Sequence, residues 1–217
     1  MDIFHKLWDN ACIKLVADGG SNRLYDAFRH DKALLEKGDL DSIRPEVWEY
    51  YESKNVKITK IDDQDSNDFM KCVNLLSEKE KENNETVREK SLVLYKSTPA
   101  LGGRFDQTMS SIHVLYTLKD QVKKKVILVS SENLTMLLDK GKHHIHCQLD
   151  LEGPTCGVIP VSAPAVISSH GLKWDMNNLH CHFGGVISTS NVLDNELIEI
   201  TTDSPVVWTV EIKSFVQ

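Results

Sequence analysis

No apolar run in this 217-residue chain approaches the roughly 18 residues that a membrane-spanning helix needs. The stretch Met1–Asn10 also lacks the layout of a secretory leader. There is no excess of positive charge: 25 Lys and Arg face 32 Asp and Glu, a formal net charge of −7. That balance argues against a basic nucleic-acid binder and against an electrostatic membrane patch. Cysteine is scarce and scattered. The five residues Cys12, Cys72, Cys147, Cys156 and Cys181 are odd in number and form no C-x-x-C, so a reducing compartment and ordinary buried thiols are expected rather than a disulfide framework. Two common nucleotide cradles, G-x-x-x-x-G-K-[ST] and G-x-G-x-x-G, are missing, and no internal repeat is visible. These absences leave a soluble, cytoplasmic protein with no nucleic-acid or membrane partner. Its 41% apolar content is enough to bury a core in one large domain or two small ones.

Charge divides what is present. Residues 1–130 hold 22 acids and 21 Lys and Arg, whereas residues 131–217 hold 10 acids and 4 Lys and Arg, a net −6. In the first part, strand-like and helix-like segments alternate. The run Cys12–Ala17 stops at Asp18-Gly19-Gly20 and helical spacing follows over Asn22–His30. Pro45 takes a first-turn position ahead of Glu46–Ser53, and Val56–Ile61 reads as a strand. Ser66–Ser77 places Phe69, Val73 and Leu76 on one helical face; Leu92–Tyr95 and Val126–Val129 are strands around a helix at Asp106–Leu118. This alternation predicts an α/β domain over 1–130, a mainly parallel sheet with flanking helices. The Glu-, Lys- and Asn-rich run from Glu78 to Lys90 reads as a solvated helix end or loop. Residues 131–217 instead carry short β-branched stretches: Val158–Val161, Val186–Thr189, Leu197–Thr202 and Val206–Ile212. Turn signals at Asp139-Lys140-Gly141, Gly153-Pro154, His170-Gly171, Gly184-Gly185 and Asp203-Ser204-Pro205 punctuate this part and predict an all-β sandwich domain.

The aspartates carry the chemistry. Asp18, Asp39, Asp41 and the group Asp63, Asp65 and Asp68 fall at or just after predicted C-terminal strand ends, the edge of an open α/β sheet where ligands bind. Gly38-Asp39-Leu40-Asp41-Ser42 puts two carboxylates on one side of an extended segment, and Asp65-Ser66-Asn67-Asp68 returns another at a helix start. Each position alone is equally at home as a cap or turn residue. Together, such carboxylates repel unless a cation lies among them, and hard oxygens suit Mg2+ shared with substrate phosphates. Leu101-Gly102-Gly103-Arg104-Phe105-Asp106-Gln107 supplies a glycine turn, then an Arg near a helix N-terminus, a possible phosphate contact or a plain turn with a surface Arg. His143, His144, His146, His180 and His182, with Cys147 and Cys181, match no structural zinc spacing; exposed strand histidines account for them better. Cys72 sits on the apolar face of its helix.

Six motifs now stand in order: Ala17-Asp18-Gly19-Gly20-Ser21-Asn22-Arg23, Gly38-Asp39-Leu40-Asp41-Ser42, Asp63-Gln64-Asp65-Ser66-Asn67-Asp68-Phe69, Gly103-Arg104-Phe105-Asp106-Gln107, Gly171-Leu172-Lys173-Trp174 and Ser188-Thr189-Ser190-Asn191. The set resembles thiamin pyrophosphokinase over nearly the whole chain, and Asp41-Ser42-Ile43-Arg44-Pro45-Glu46-Val47 is similar to animal members. The resemblance implies an α/β ATP-binding domain followed by a thiamin-binding β-sandwich, in a homodimer with active sites between subunits. It implies the reaction thiamin + ATP → thiamin diphosphate + AMP. By motif, Asp39, Asp41 and Asp68 would hold Mg2+, with Asp18 beside them as a further catalytic carboxylate. Gln64, Asp65, Arg104 and Asp106 would contact ATP, and Trp174, Ser188, Ser190 and Asn191 would belong to the thiamin pocket. Thiamin carries a positive thiazolium ring, which an aromatic face and an acidic domain both favour.

Two departures from the family pattern stand out. The apolar strand that usually precedes the helix reading here as Phe4–Asn10 is not in this chain, and its loss implies an exposed sheet edge and a reduced nucleotide site. Pro99-Ala100 replaces a glycine pair, which removes a backbone N–H from the phosphate side. Besides the kinase reading, these departures motivate a catalytically impaired thiamin- or nucleotide-binding dimer. A Mg2+-dependent phosphohydrolase built on Asp39 and Asp41 is the third reading.

Overall fold

The computed structural model describes residues 3–16, 20–27, 43–58, 68–82, 92–95, 105–121, 125–130 and 132–213. It divides into two compact units, Met1–Glu89 and Lys90–Gln217. The first contains four helices among its described residues: α1 (Ile3–Asn10), α2 (Gly20–Ala27), α3 (Pro45–Ser53) and α4 (Asp68–Glu82). Helix α3 begins where its sequence demands. Pro45 forbids a helical Arg44, which is extended (φ −69°, ψ 142°) and offers its carbonyl to Val47 N and Trp48 N at 3.0 Å each. The helix closes at Asn55, whose φ of 56° is left-handed, while Lys54 N and Val56 N both return to the Tyr51 carbonyl at 3.1 Å. Leu24, Val47 and Tyr51 are buried together, with Trp8, Val16, Ile43, Val56 and Ile58 packed on them. The described parts of two expected strands, Cys12–Val16 and Val56–Ile58, form no ladder among the described residues. Their apolar residues report burial, since Val16, Val56 and Ile58 pack onto this small core without pairing.

Among its described residues the second unit holds helix α5 (Phe105–Leu118) and ten strands. Strands β1 (Leu92–Tyr95), β2 (Val126–Val129), β3 (Asn133–Leu138), β5 (Glu152–Ile159), β8 (Ser188–Val192) and β10 (Val206–Ile212) form a six-stranded sheet in the order β1-β2-β3-β10-β5-β8. Strands β4 (Gly141–His146), β6 (Ala165–His170), β7 (Leu179–Cys181) and β9 (Leu197–Thr202) form the second sheet, ordered β4-β9-β6-β7. Only β1 and β2 run parallel among the described strands; β2 pairs antiparallel with β3 through Ile127↔Met136 and Val129↔Leu134. The sheet is therefore mixed, where a mainly parallel one was expected. The reason is that β3 adds to the edge of β2, so the strands of the first sequence region continue into the β-rich region. This is also why the compact units divide after Glu89, whereas the composition shift lies near Ser130.

The two sheets face each other as a sandwich. Trp208, Val206 and Val210 of β10, Met136 of β3, Val158 of β5, Ile167 of β6 and Ile198 and Ile200 of β9 share one buried core. Helix α5 packs on β2 and β3 through buried Val114, Leu115 and Leu118, and Lys119 Nζ at its end pairs with Asp139 Oδ1 at 2.9 Å. Gly153-Pro154, read from sequence as a turn, lies inside β5. It falls where the β5–β10 register shifts between Val210 and Ile212, a position at which the missing proline N–H costs no ladder bond.

Candidate functional site

On the nucleotide side, the expected residues Asp18, Asp39, Asp41, Gln64, Asp65 and Arg104 lie outside the described residues, as does Pro99-Ala100. Asp68 is the first residue of α4. Asp106 is exposed in the first turn of α5, where a carboxylate complements unsatisfied helix N–H groups, and the neighbouring Phe105 is also exposed. Among the described residues, no group of three or more His, Cys, Asp or Glu side chains gathers as a metal set.

The second group of expected residues is built in detail by the segment after β6. Gly171 has φ +96°, and a Cβ there would lie 2.6 Å from the Leu197 carbonyl, so the Gly-Leu-Lys-Trp motif must begin with glycine. Leu172 then bridges Leu193, and Lys173 N donates to Val192 O at 2.9 Å, so the segment lies along the free edge of β8. Two polar side chains fix it. Asp175 accepts from Gly171 N (3.2 Å), Leu172 N (3.1 Å) and Ser169 Oγ (2.9 Å), and lies 3.5 Å from His170 Nδ1. Asn191, only 3% exposed, grips Trp174 from both sides: its Oδ1 accepts from Trp174 N at 3.2 Å and its Nδ2 donates to Trp174 O at 2.9 Å. The same amide accepts from Val192 N and donates to Ser188 Oγ, so all its capacity is used within the protein.

Trp174 itself is 56% exposed, and Lys173 Nζ stands 4.9 Å from its ring centroid. Other aromatic rings of the chain, Phe105 and Phe183, are also exposed; Trp174 differs in that its backbone N–H and carbonyl are both held by one buried side chain. Ser190, left-handed at φ 56°, turns away from this clamp and borders a concavity of about 480 Å3 on the six-stranded sheet. Thr155, Gly157, Thr209, Glu132 and Glu211 also border it. Cys156, in its wall, is pushed up to about 12 by burial and stays a neutral thiol. The four expected thiamin residues therefore divide: Trp174 is displayed, Asn191 and Ser188 support it, and Ser190 lines the neighbouring concavity. Trp174 does not line that concavity, so the two features are adjoining surfaces.

Both halves of the chain match family models. The model described as thiamin pyrophosphokinase, catalytic domain, covers residues 4–129, and that described as thiamin pyrophosphokinase, vitamin B1 binding domain, covers 142–207. The chain belongs to the thiamin pyrophosphokinase family. Thiamine pyrophosphokinase 1 of Arabidopsis thaliana is 40% identical over 95% of this chain and 80% of its own length. Thiamine pyrophosphokinase 3 of rice is 38% identical over 96% and 82%. Thiamin pyrophosphokinase from Candida albicans superposes with a TM-score of 0.84 at 31% identity, covering 98% of this chain and 86% of that one. As a member of this family the protein is a thiamin diphosphokinase, with ATP as co-substrate. The catalytic-domain match contains every aspartate motif, and the vitamin B1 binding match contains both the Trp174 segment and β8.

Two residues that contact the Gly171–Trp174 segment are not singled out by the sequence. Asp175 follows the tryptophan motif directly, and its role as acceptor for the N–H groups of Gly171 and Leu172 is the ordinary turn chemistry of aspartate, a signal that was present. Lys173 lies within the motif, but its contact with the ring depends on side-chain placement that spacing does not encode.

Proposed function

We propose that the chain transfers the pyrophosphoryl group of ATP to the hydroxyl of thiamin, releasing AMP, with the work divided along the sequence. Residues 1–130 carry the ATP chemistry and residues 131–217 hold thiamin. The observation that carries this reading is the ordered set of motifs spread over both matched domains. Asp39, Asp41 and Asp68 would hold Mg2+, with Asp18 beside them; three carboxylates form the hard-oxygen donor set that this ion takes. When bound, the ion neutralises charge on phosphate oxygens and relieves repulsion among the aspartates. Gln64, Asp65, Arg104 and Asp106 contact ATP, and the Arg104 guanidinium offsets charge developing on the transferred group. The thiamin hydroxyl attacks the β-phosphorus in line, its proton passes to a nearby carboxylate, and AMP leaves.

Trp174 supplies an aromatic face for the cationic ligand. Asn191, and Ser188 through it, are positioning residues that act by holding the Trp174 backbone. Ser190 contributes from the adjoining concavity. We further propose a cytoplasmic homodimer with active sites between subunits. The test is AMP release from Mg-ATP with and without thiamin. AMP that appears only with thiamin supports the reading. Thiamin binding without AMP would replace it with a binding dimer, and nucleotide hydrolysis without thiamin would replace it with a phosphohydrolase on Asp39 and Asp41.

A further inference from the structure

Trp174 is fixed through its backbone and displayed through its side chain, and one face of the indole already carries a cation. The Lys173 ammonium stands 4.9 Å from the ring centroid, inside the range of about 6 Å over which a ring quadrupole attracts positive charge. Two positive charges repel when they share one ring face. We propose that Lys173 sets the affinity for thiamin by occupying the face of Trp174 that the thiazolium ring takes, so that thiamin enters by displacing the ammonium. The inference rests on the reading of Trp174 as part of the thiamin pocket. Displacement needs no backbone movement. The Lys173 stem is flexible and its head lies at the surface, whereas the backbone on both sides is held by Val192 O and the Asn191 amide. The displaced ammonium returns to water, where solvent screens its charge, so its effect is confined to competition for the ring face.

The experiment is calorimetric titration of the full chain with thiamin, in wild type, Lys173→Gln, Lys173→Arg, Trp174→Leu and the Lys173→Gln/Trp174→Leu double variant. All the altered side chains are at the surface, so each variant is compared at equal folded fraction by thermal melting. The expected result is that Lys173→Gln tightens binding by about two- to fivefold, the size of one exposed cation–π contact. Lys173→Arg keeps the wild-type affinity, Trp174→Leu weakens binding, and Lys173→Gln has no further effect on the Trp174→Leu background. An unchanged or weaker Lys173→Gln beside a weakened Trp174→Leu overturns the role of Lys173 and leaves the Trp174 reading standing. A tightening that persists undiminished without the indole makes the effect one of general charge and also overturns the inference. Unaltered affinity in Trp174→Leu overturns the Trp174 reading itself.

Discussion

Met1–Glu89 and Lys90–Gln217 are held together by different means. Among the described residues, the first unit buries one cluster of three apolar side chains, Leu24, Val47 and Tyr51, and supports it with partly buried aromatic residues such as Trp8 and Tyr50. The second gathers sixteen buried residues into one sandwich core, and its strands are joined by long-range antiparallel ladders. The second unit is the one that displays Trp174. An exposed ring can be held in one place only if its backbone is over-determined, and here the sandwich edge supplies the partners: Val192 O, the Asn191 amide and the Asp175 carboxylate.

The contrast can be broken most sharply at the cysteines. Cys12 in the first unit is exposed, while Cys147 and Cys156 in the second are buried and pushed up to about 12, chiefly by burial. Their thiolate populations at neutral pH fall by about 10³ relative to an unburied thiol. Thiol labelling of the native protein followed by peptide mapping should mark Cys12 first and leave Cys147 and Cys156 unmodified until the chain is unfolded. Next in size is Trp208→Ala, which empties the centre of the sandwich core. About 3–5 kcal/mol of stability should be lost in chemical denaturation.

A smaller and more local change is Asn191→Ala. It leaves the Trp174 N–H and carbonyl without their partner, at a cost of about 1–3 kcal/mol. Steady-state assays should show the thiamin KM rising more than kcat falls, with partial rescue by Asn191→Asp, which keeps an acceptor. Smallest is Asp139→Asn at the end of α5. Hydrogen bonding to Lys119 holds the Asp139 carboxyl below its usual range, so the pair stabilises the fold above that range and its contribution disappears as the pH falls through it. The Tm difference between Asp139→Asn and wild type should be slight at pH 7 and vanish in strong acid.

The sequence made the sandwich more legible than the helical unit, for physical reasons. Val126–Val129, Leu197–Thr202 and Val206–Ile212 are strands with those bounds because continuous β-branched runs fit a pleated, buried surface. β3 escaped because Asn133–Leu138 is rich in Leu and Met and carries no β signature, and with β3 went the mixed character of the sheet. Cys12–Ala17 looked like a strand because a short apolar run reports burial without saying what pairs with it. At the site, the motif Gly171–Trp174 and the stretch Ser188–Asn191 were identified as one functional group, and the structure joins them through the Asn191 amide. Asn191 is expected in the thiamin pocket, and in the structure its amide makes two hydrogen bonds to the Trp174 backbone. Those bonds depend on side-chain direction, which the spacing of a four-residue motif does not carry.

The central claim is a division of labour between phosphate chemistry in the aspartate motifs and thiamin recognition in the sandwich. Its most direct test is calorimetric titration of Asp41→Asn with thiamin, alongside its rate of AMP release. The account predicts a fall in turnover of about 10²-fold or more with thiamin affinity close to that of the wild type. Full activity in Asp41→Asn, or loss of thiamin binding in step with turnover, would contradict it.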